Sequence, residues 1–471
     1  MRRRALASAA FGALSVAGCA LLPNSAFRAQ LGTGAGVAAK QLCTLEFVSG
    51  LDRDRARELY VDPILQEGAR VLRVEFDAEA QTVTARLTGL AEAHAVHRSG
   101  YGCTLVLDPE AEMQPPAEDR VRSPEMWLDP AHRDVAFDAD ALDAAVTFAF
   151  EQPPDSPPLD TLAVVVLHDG RLVAERYAEG ITPHTRLPGW SMTKSVTATW
   201  AGVLAAQGRL DATAPGILSE WRDTSDPRAE ITLDHLLRMS SGMLLTEAGD
   251  DSDGNDPTSL LLYHMPDAAG YAARQPLVHP VGTHFEYMSG STVLATRAVQ
   301  EAIGGGLREA LEALRRDLFD PLGMHSAVFE PDQVGTFLGS THMVATARDW
   351  ARLGQLYVDG GMAGDRRLVT EEWIDYVTTP TPGSRAEQRG SVFWEPGRSS
   401  YGAGFWLFPD APSAEAKTSP LPGDAFDANG YQGQYLHIIP SKKLVVVRLG
   451  ATNFRGHDHE RLPHDVLEAL R

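Results

Sequence analysis

Alternating apolar and polar positions divide the chain into a small unit near its start and a much larger one after it. RVLRVEFD (70–77) and QTVTARLTGL (81–90) alternate with a period of two, and CTLVLD (103–108) repeats the pattern, so three short strands are expected there. A short helix over 51–60 (LDRDRARELY) precedes them. Together they predict a small α+β N-terminal unit over 40–115. Residues 113–125 (MQPPAEDRVRSPE) are Pro-rich and polar, which marks a boundary before a large unit over 125–471. There, TLAVVVLHDGRLVAERYAEG (161–180) holds two apolar runs joined by Asp169-Gly170, a strong hairpin signal. YGAGFWLF (401–408), QYLHIIP (434–440) and KLVVVRLG (443–450) are expected as further strands. Long helical patterns fill the middle, without regular βαβ alternation and without an internal repeat. The expected fold class is α+β, with an antiparallel sheet assembled from both ends of the large unit.

Composition narrows the function. The 471 residues carry 42 Lys+Arg against 63 Asp+Glu, a formal net charge of −21. That balance argues against nucleic acid as a partner, because phosphates demand clustered cations. Three cysteines without a Cys-x-x-Cys pair exclude a disulfide-scaffold protein and a zinc ribbon. Arg2, Arg3 and Arg4, an apolar stretch from Ala5 to Ala17, and Gly18-Cys19 have the layout of a secretory signal, too short to span a bilayer as a stable helix. Val16-Ala17-Gly18-Cys19 resembles a bacterial lipobox. The expectation is a signal peptide over 1–19 with Cys19 as the lipidation site, a small-residue tether over 20–39, and an exported protein of the periplasm or cell envelope. Export would bring Cys43 and Cys103 into an oxidising compartment, where a disulfide between them is permitted. Two separate buried thiols are the alternative.

Candidate chemistry begins at LPGWSMTKSVTATWAGVLAAQGRLD. From Met192 to Gln207 the pattern is helical and Gly208 ends it, so Ser191 stands at a helix N-terminus with Lys194 on the same face. A serine hydroxyl needs an adjacent base to become a nucleophile, and a lysine amine can serve. The helix N-terminus adds N–H groups suited to an oxyanion. Alone, Ser-x-x-Lys is a weak signal that an ordinary helix cap would also give. Two further motifs follow in order. Tyr287-Met288-Ser289 lies between a Pro-Val-Gly turn and a helical pattern, and NGYQGQY (429–435) is a Gly-bounded turn leading into a strand.

With these three motifs the sequence resembles the serine β-lactamase and penicillin-binding-protein superfamily, whose elements are Ser-x-x-Lys, a Ser/Tyr-x-Asn motif and a Lys-Thr-Gly-like strand. It is most similar to the class C-like branch of esterases, D-aminopeptidases and 6-aminohexanoate-dimer hydrolases. Supporting stretches are ITLDHLLRMSSGM (231–243), FDPLGMHSA (319–327) and ATARDWARLGQLYVDGG (345–361). The resemblance covers about residues 130–471 and implies the β-lactamase/transpeptidase-like fold, with the small N-terminal unit outside it. It implies Ser191 as nucleophile, Lys194 as its base and Tyr287 as proton shuttle to the leaving group. The family's Asn falls on Ser289. Lys-Thr-Gly falls on Tyr431-Gln432-Gly433, which removes the cation that holds a β-lactam carboxylate. The backbone N–H groups of Ser191 and Gln434 would form the oxyanion hole, and Trp190 could line the pocket.

The expected activity is ester or amide hydrolysis of a small molecule through an acyl-enzyme, without cofactor or metal. The alternatives are a D-Ala-D-Ala carboxypeptidase or D-amino-acid amidase, and a non-catalytic binding protein on the same fold. The acidic loop 248–259, with Asp251, Asp253 and Asn255, lacks the glycine and terminal glutamate of a calcium loop. His457 and His459 read as a polar tail rather than a metal pair.

Overall fold

The computed structural model describes residues 25–118, 136–152, 157–247, 254–384, 400–408, 419–453 and 458–471. The expected signal peptide, Cys19 and the segment after Glu118 lie outside them. The first unit is a helix, α1 (Ser25–Cys43), and a second, α2 (Arg53–Tyr60), followed by a four-stranded antiparallel meander. Its strands are β1 (Leu72–Asp77), β2 (Thr82–Leu87), β3 (Ala91–Arg98) and β4 (Gly102–Val106), paired in that order. Three of them are the expected ones. The addition, β3, buries Ala93, Ala95 and Arg98, and two alanines with an arginine give a weak strand signal.

The expected tether is corrected: within 20–39, residues from Ser25 onward belong to α1. Small residues here serve close packing instead of looseness. Ala35, Ala38, Ala39 and Leu42 are buried, and α1 lies between the meander and the helix Pro257–Tyr263 of the large unit. At Gly36 a Cβ would sit 2.2 Å from the Tyr263 carbonyl oxygen, so only glycine permits this approach. Further along α1, the buried Lys40 ammonium pairs with Glu330, whose carboxylate also accepts from Thr44 Oγ1 at 2.9 Å and from the Cys103 amide at 2.7 Å. Burial lowers the Lys40 pKa and the Glu330 charge opposes that fall. A disulfide joins Cys43 at the end of α1 to Cys103 in β4. The first unit is thus docked on the second by a buried ion pair and by backbone packing.

The large unit carries a seven-stranded antiparallel sheet. Its strands are β5 (Thr161–His168), β6 (Arg171–Tyr177), β7 (Ser400–Tyr401), β8 (Trp406–Leu407), β9 (Phe426–Gly430), β10 (Gln434–Ile439) and β11 (Leu444–Gly450), in the spatial order β7-β8-β9-β10-β11-β5-β6. It is built from both ends of the unit, as expected. β5 and β11 are buried on both faces, which is why they read as continuous apolar runs. One face, with Val165, Leu167, Val445 and Val447, joins the main core, and the other, with Val164, Val166 and Val446, joins a separate cluster. That cluster includes α3 (Ala139–Phe148) and the C-terminal helix Arg461–Glu468. The single strand expected over 401–408 is instead two short strands, broken by a turn in which the Gly402 amide donates to the Phe405 carbonyl at 2.8 Å. The helical middle includes α4 (Thr193–Ala206), α5 (Pro257–Tyr263), α6 (Ser289–Ile303) and α7 (Ala347–Val358). α4 and α6 pack side by side, with Thr197 and Thr296 hydroxyls 3.2 Å apart, so the helix starts near Ser191 and Ser289 are brought together.

Two outcomes check this arrangement. Gly36→Val should push α1 off Tyr263 and cost about 1–3 kcal/mol, read as a lower urea midpoint; an unchanged midpoint would contradict the seating of α1. Intact mass without reductant should fall two hydrogens below that of the reduced chain, and alkylation of Cys43 or Cys103 without reductant would contradict the bridge.

Candidate active site

Ser191 sits in a tight turn, Trp190–Met192, that leads into α4. Trp190 adopts a φ of +49°, a left-handed conformation rare for a bulky residue. Its neighbours hold it there: the Gly189 amide donates to the Met343 carbonyl at 2.9 Å, and the Trp190 ring packs edge-on against Tyr431 at 5.4 Å. Strain of this kind costs of order 1–3 kcal/mol and persists only where packing dictates it.

Lys194, one turn into α4, is 1% exposed. Its Nζ donates to Ser191 Oγ at 3.0 Å, Ser289 Oγ at 3.0 Å and the Ser340 carbonyl at 3.2 Å. Three acceptors on three elements satisfy the three hydrogens of an ammonium group. The Tyr287 ring lies 4.7 Å from Nζ and contacts Trp406 and Tyr401, with centroids 5.2 and 5.6 Å away. Ser191, Lys194, Tyr287 and Ser289, drawn from positions almost a hundred residues apart, therefore form one cluster.

Residues Tyr431, Gln432 and Gly433 make the turn between β9 and β10. A Cβ on Gly430 would lie 2.2 Å from the Gly189 carbonyl oxygen, so the absence of a side chain lets this hairpin abut the Ser191 turn. Tyr431 is half exposed beside Trp190. Gln432, with φ of +60°, points its side chain away from the site: Nε2 donates to the Leu59 carbonyl of α2 at 2.9 Å and to Asn453 Oδ1 at 2.7 Å. The Gln434 side-chain carboxamide is also internal, its Nε2 donating to the Gly450 carbonyl at 2.7 Å and its Oε1 accepting from the Gly450 backbone amide at 3.0 Å. What the turn can offer a substrate is backbone, together with Tyr431.

Sequence reasoning missed three participants. Ser340 lies in a loop with no motif of its own. Arg448 lies beneath the third-motif turn and donates to the Gly433 carbonyl at 2.6 Å; burial pushes its pKa down to about 10, still protonated at neutral pH. Glu247 accepts from Ser289 Oγ at 3.1 Å and from the Ser289 amide at the start of α6, where Met288 supplies no side-chain cap. Burial pushes the Glu247 carboxyl up, while Lys194 and the Ser289 hydrogen bonds hold it back. An acidic residue eight positions after Met239 carries no spacing signal, so only the fold reveals it. Among the described residues, no cluster of His, Cys, Asp or Glu could hold a metal ion.

Comparison with known proteins gives the family and the fold. The Beta-lactamase family model matches residues 149–471. A 6-aminohexanoate-dimer hydrolase from Paenarthrobacter ureafaciens is 27% identical over 305 residues, covering 56% of this chain and 73% of that protein. Among solved structures, EstCE1, a hydrolase with promiscuous acyltransferase activity, superposes with a TM-score of 0.54 at 18% identity, over 70% of this chain and 99% of its own. A penicillin-binding-protein homologue from Caulobacter crescentus gives 0.52 at 19% identity, over 70% and 98%. These two show the shared fold, which is the β-lactamase/transpeptidase-like one. The chain belongs to the beta-lactamase family and is a serine hydrolase of that family.

Proposed function

We propose that the protein cleaves small esters or amides through an acyl-enzyme on Ser191. One observation carries this reading: the buried Lys194 Nζ stands 3.0 Å from Ser191 Oγ at the head of α4. Lys194, as the free amine, takes the Ser191 proton as Oγ attacks the carbonyl carbon, becoming the ammonium whose three hydrogens this site satisfies, and the oxyanion is received by the backbone N–H groups of Ser191 and Gln434. Tyr287, packed on Lys194, passes a proton to the leaving group as the carbon–heteroatom bond breaks. Water then attacks the acyl carbon by the reverse proton route, freeing the acid and Ser191.

Substrate preference follows from the third motif. Tyr431 stands where the family carries a cation, and Arg448 is held under the turn by the Gly433 and Leu159 carbonyls. Among the described residues, a substrate carboxylate thus finds no charge-assisted donor in this turn. This supports uncharged or amine-bearing substrates over β-lactams and over cell-wall peptides ending in D-Ala. The basic and apolar opening segment with Cys19 supports export and lipid anchoring, and a Cys43–Cys103 bridge suits an oxidising compartment.

Ser191→Ala and Lys194→Ala should each lower p-nitrophenyl butyrate hydrolysis by about 10³-fold or more while the melting curve persists. Near-wild-type turnover in Lys194→Ala would refute the base. Tyr431→Lys should raise the ratio of cephalosporin to ester turnover about ten- to a hundredfold, from the roughly 1.5–3 kcal/mol of a charge-assisted hydrogen bond. A wild type that already prefers the cephalosporin would contradict this reading of the turn.

A further inference from the structure

Glu247 accepts both hydrogens of Ser289, the residue that shares Lys194 with Ser191. We propose that Glu247 is a positioning residue of the hydrolytic site, acting through Ser289 to aim the Lys194 lone pair at Ser191. The proposal rests on the acyl-enzyme reading above.

The argument is a count of hydrogens. To accept the Ser191 proton, Nζ must present a lone pair to Ser191 Oγ, which leaves it two N–H groups for its other partners. The Ser340 carbonyl, at 3.2 Å, can only accept. Ser289 Oγ, at 3.0 Å, could accept from Nζ or donate to it. If it donated, its hydrogen would occupy the lone pair that Ser191 needs. Glu247 removes that option: Oε1 takes the single Ser289 hydroxyl hydrogen at 3.1 Å, and the other oxygen takes the Ser289 amide. Ser289 Oγ is left as an acceptor towards Lys194. Ser289 occupies the position of the family's Asn, and the pair Ser289–Glu247 supplies the fixed hydrogen-bond polarity that an Asn side chain would carry alone.

A buried side chain anchors the segment that carries Glu247. Leu245, two residues earlier, is buried against Gly290, where a Cβ would come within 2.7 Å of its Cδ2. Among the described residues, the titratable groups facing Glu247 are Lys194 of α4, Asp256 before α5, Tyr263 at the end of α5 and Tyr401 of β7. Lys194 favours its ionised form, and Asp256 and burial oppose it. When Glu247 takes up a proton, its O–H can donate to Ser289 Oγ and the polarity of the chain reverses. Activity should therefore fall as pH drops through a Glu247 pKa that burial has raised above the usual carboxylate range.

Glu247→Gln isolates this effect, because its carbonyl can keep the Ser289 amide while its NH₂ must donate to Ser289 Oγ. With p-nitrophenyl butyrate, kcat should fall at least about tenfold with KM unchanged, and the acid limb of Glu247 should vanish from the pH profile. Adding Glu247→Gln to Ser289→Ala should cause no further loss, since the two act in series. Melting curves establish that each variant is folded. Should Glu247→Gln not fold, Ser289→Ala alone decides: it must lose the same acid limb. Wild-type kcat and an unchanged pH profile in Glu247→Gln, a limb retained in Ser289→Ala, or multiplying losses would each overturn the proposal. Ser191→Ala, assayed alongside, separates the two levels. If it is inactive while Glu247→Gln behaves as wild type, only the role of Glu247 falls; if it retains turnover, the acyl-enzyme reading itself falls.

Discussion

A lysine amine buried beside a serine is the constraint on which the rest of the site depends. Removing an ammonium group from water costs several kcal/mol unless every hydrogen finds a partner. Lys194 finds three, on the Ser191 turn, on α6 and in the loop at Ser340. Those elements come from distant parts of the chain, so the packing of α4 against α6 and the seating of the Ser340 loop are conditions of the chemistry. The Tyr287 ring closes the remaining side, and a cation over an aromatic face is worth about 2 kcal/mol where water is excluded. The strained Trp190 belongs to the same logic, because it fixes where Ser191 Oγ meets Nζ.

The N-terminal unit enters the account through the third motif. The Gln432 side chain is anchored on the Leu59 carbonyl of α2, and Asn453 reaches the same oxygen at 3.3 Å. A left-handed Gln432 and Gly433 are thus held from outside by the first unit and from beneath by Arg448. The first unit in turn is braced internally by the Cys43–Cys103 bridge and docked by Lys40–Glu330 and the glycine-lined face of α1. A segment outside the matched family region therefore shapes a wall of the site.

Much of this was legible in the sequence, and the exceptions share a cause. Ser191, Lys194, Tyr287 and Ser289 were readable because their motifs follow in order with helix and turn signals around them. β5, β10 and β11 were readable because buried strands concentrate Val, Ile and Leu. Long-range partners were not. Glu247, Ser340 and Arg448 act through contacts that depend on tertiary packing, and no local spacing encodes them. Glycine and alanine suit a loose tether and a close-packed helix alike, and only Tyr263 and Leu87 on either side of α1 decide between them. The motif alignment places Gln432 at the substrate turn, but its engagement by the Leu59 carbonyl, 373 positions away, is a tertiary contact that no local spacing encodes.

Trapping the acyl-enzyme tests the central claim most directly. The protein is mixed with p-nitrophenyl butyrate, quenched in acid within the first turnover, and analysed by intact mass and peptide mapping. The account predicts one butyryl group per chain, located on the peptide containing Ser191 and absent from Ser191→Ala. Turnover without any acylated intermediate, or a butyryl group mapped to another residue, would contradict it.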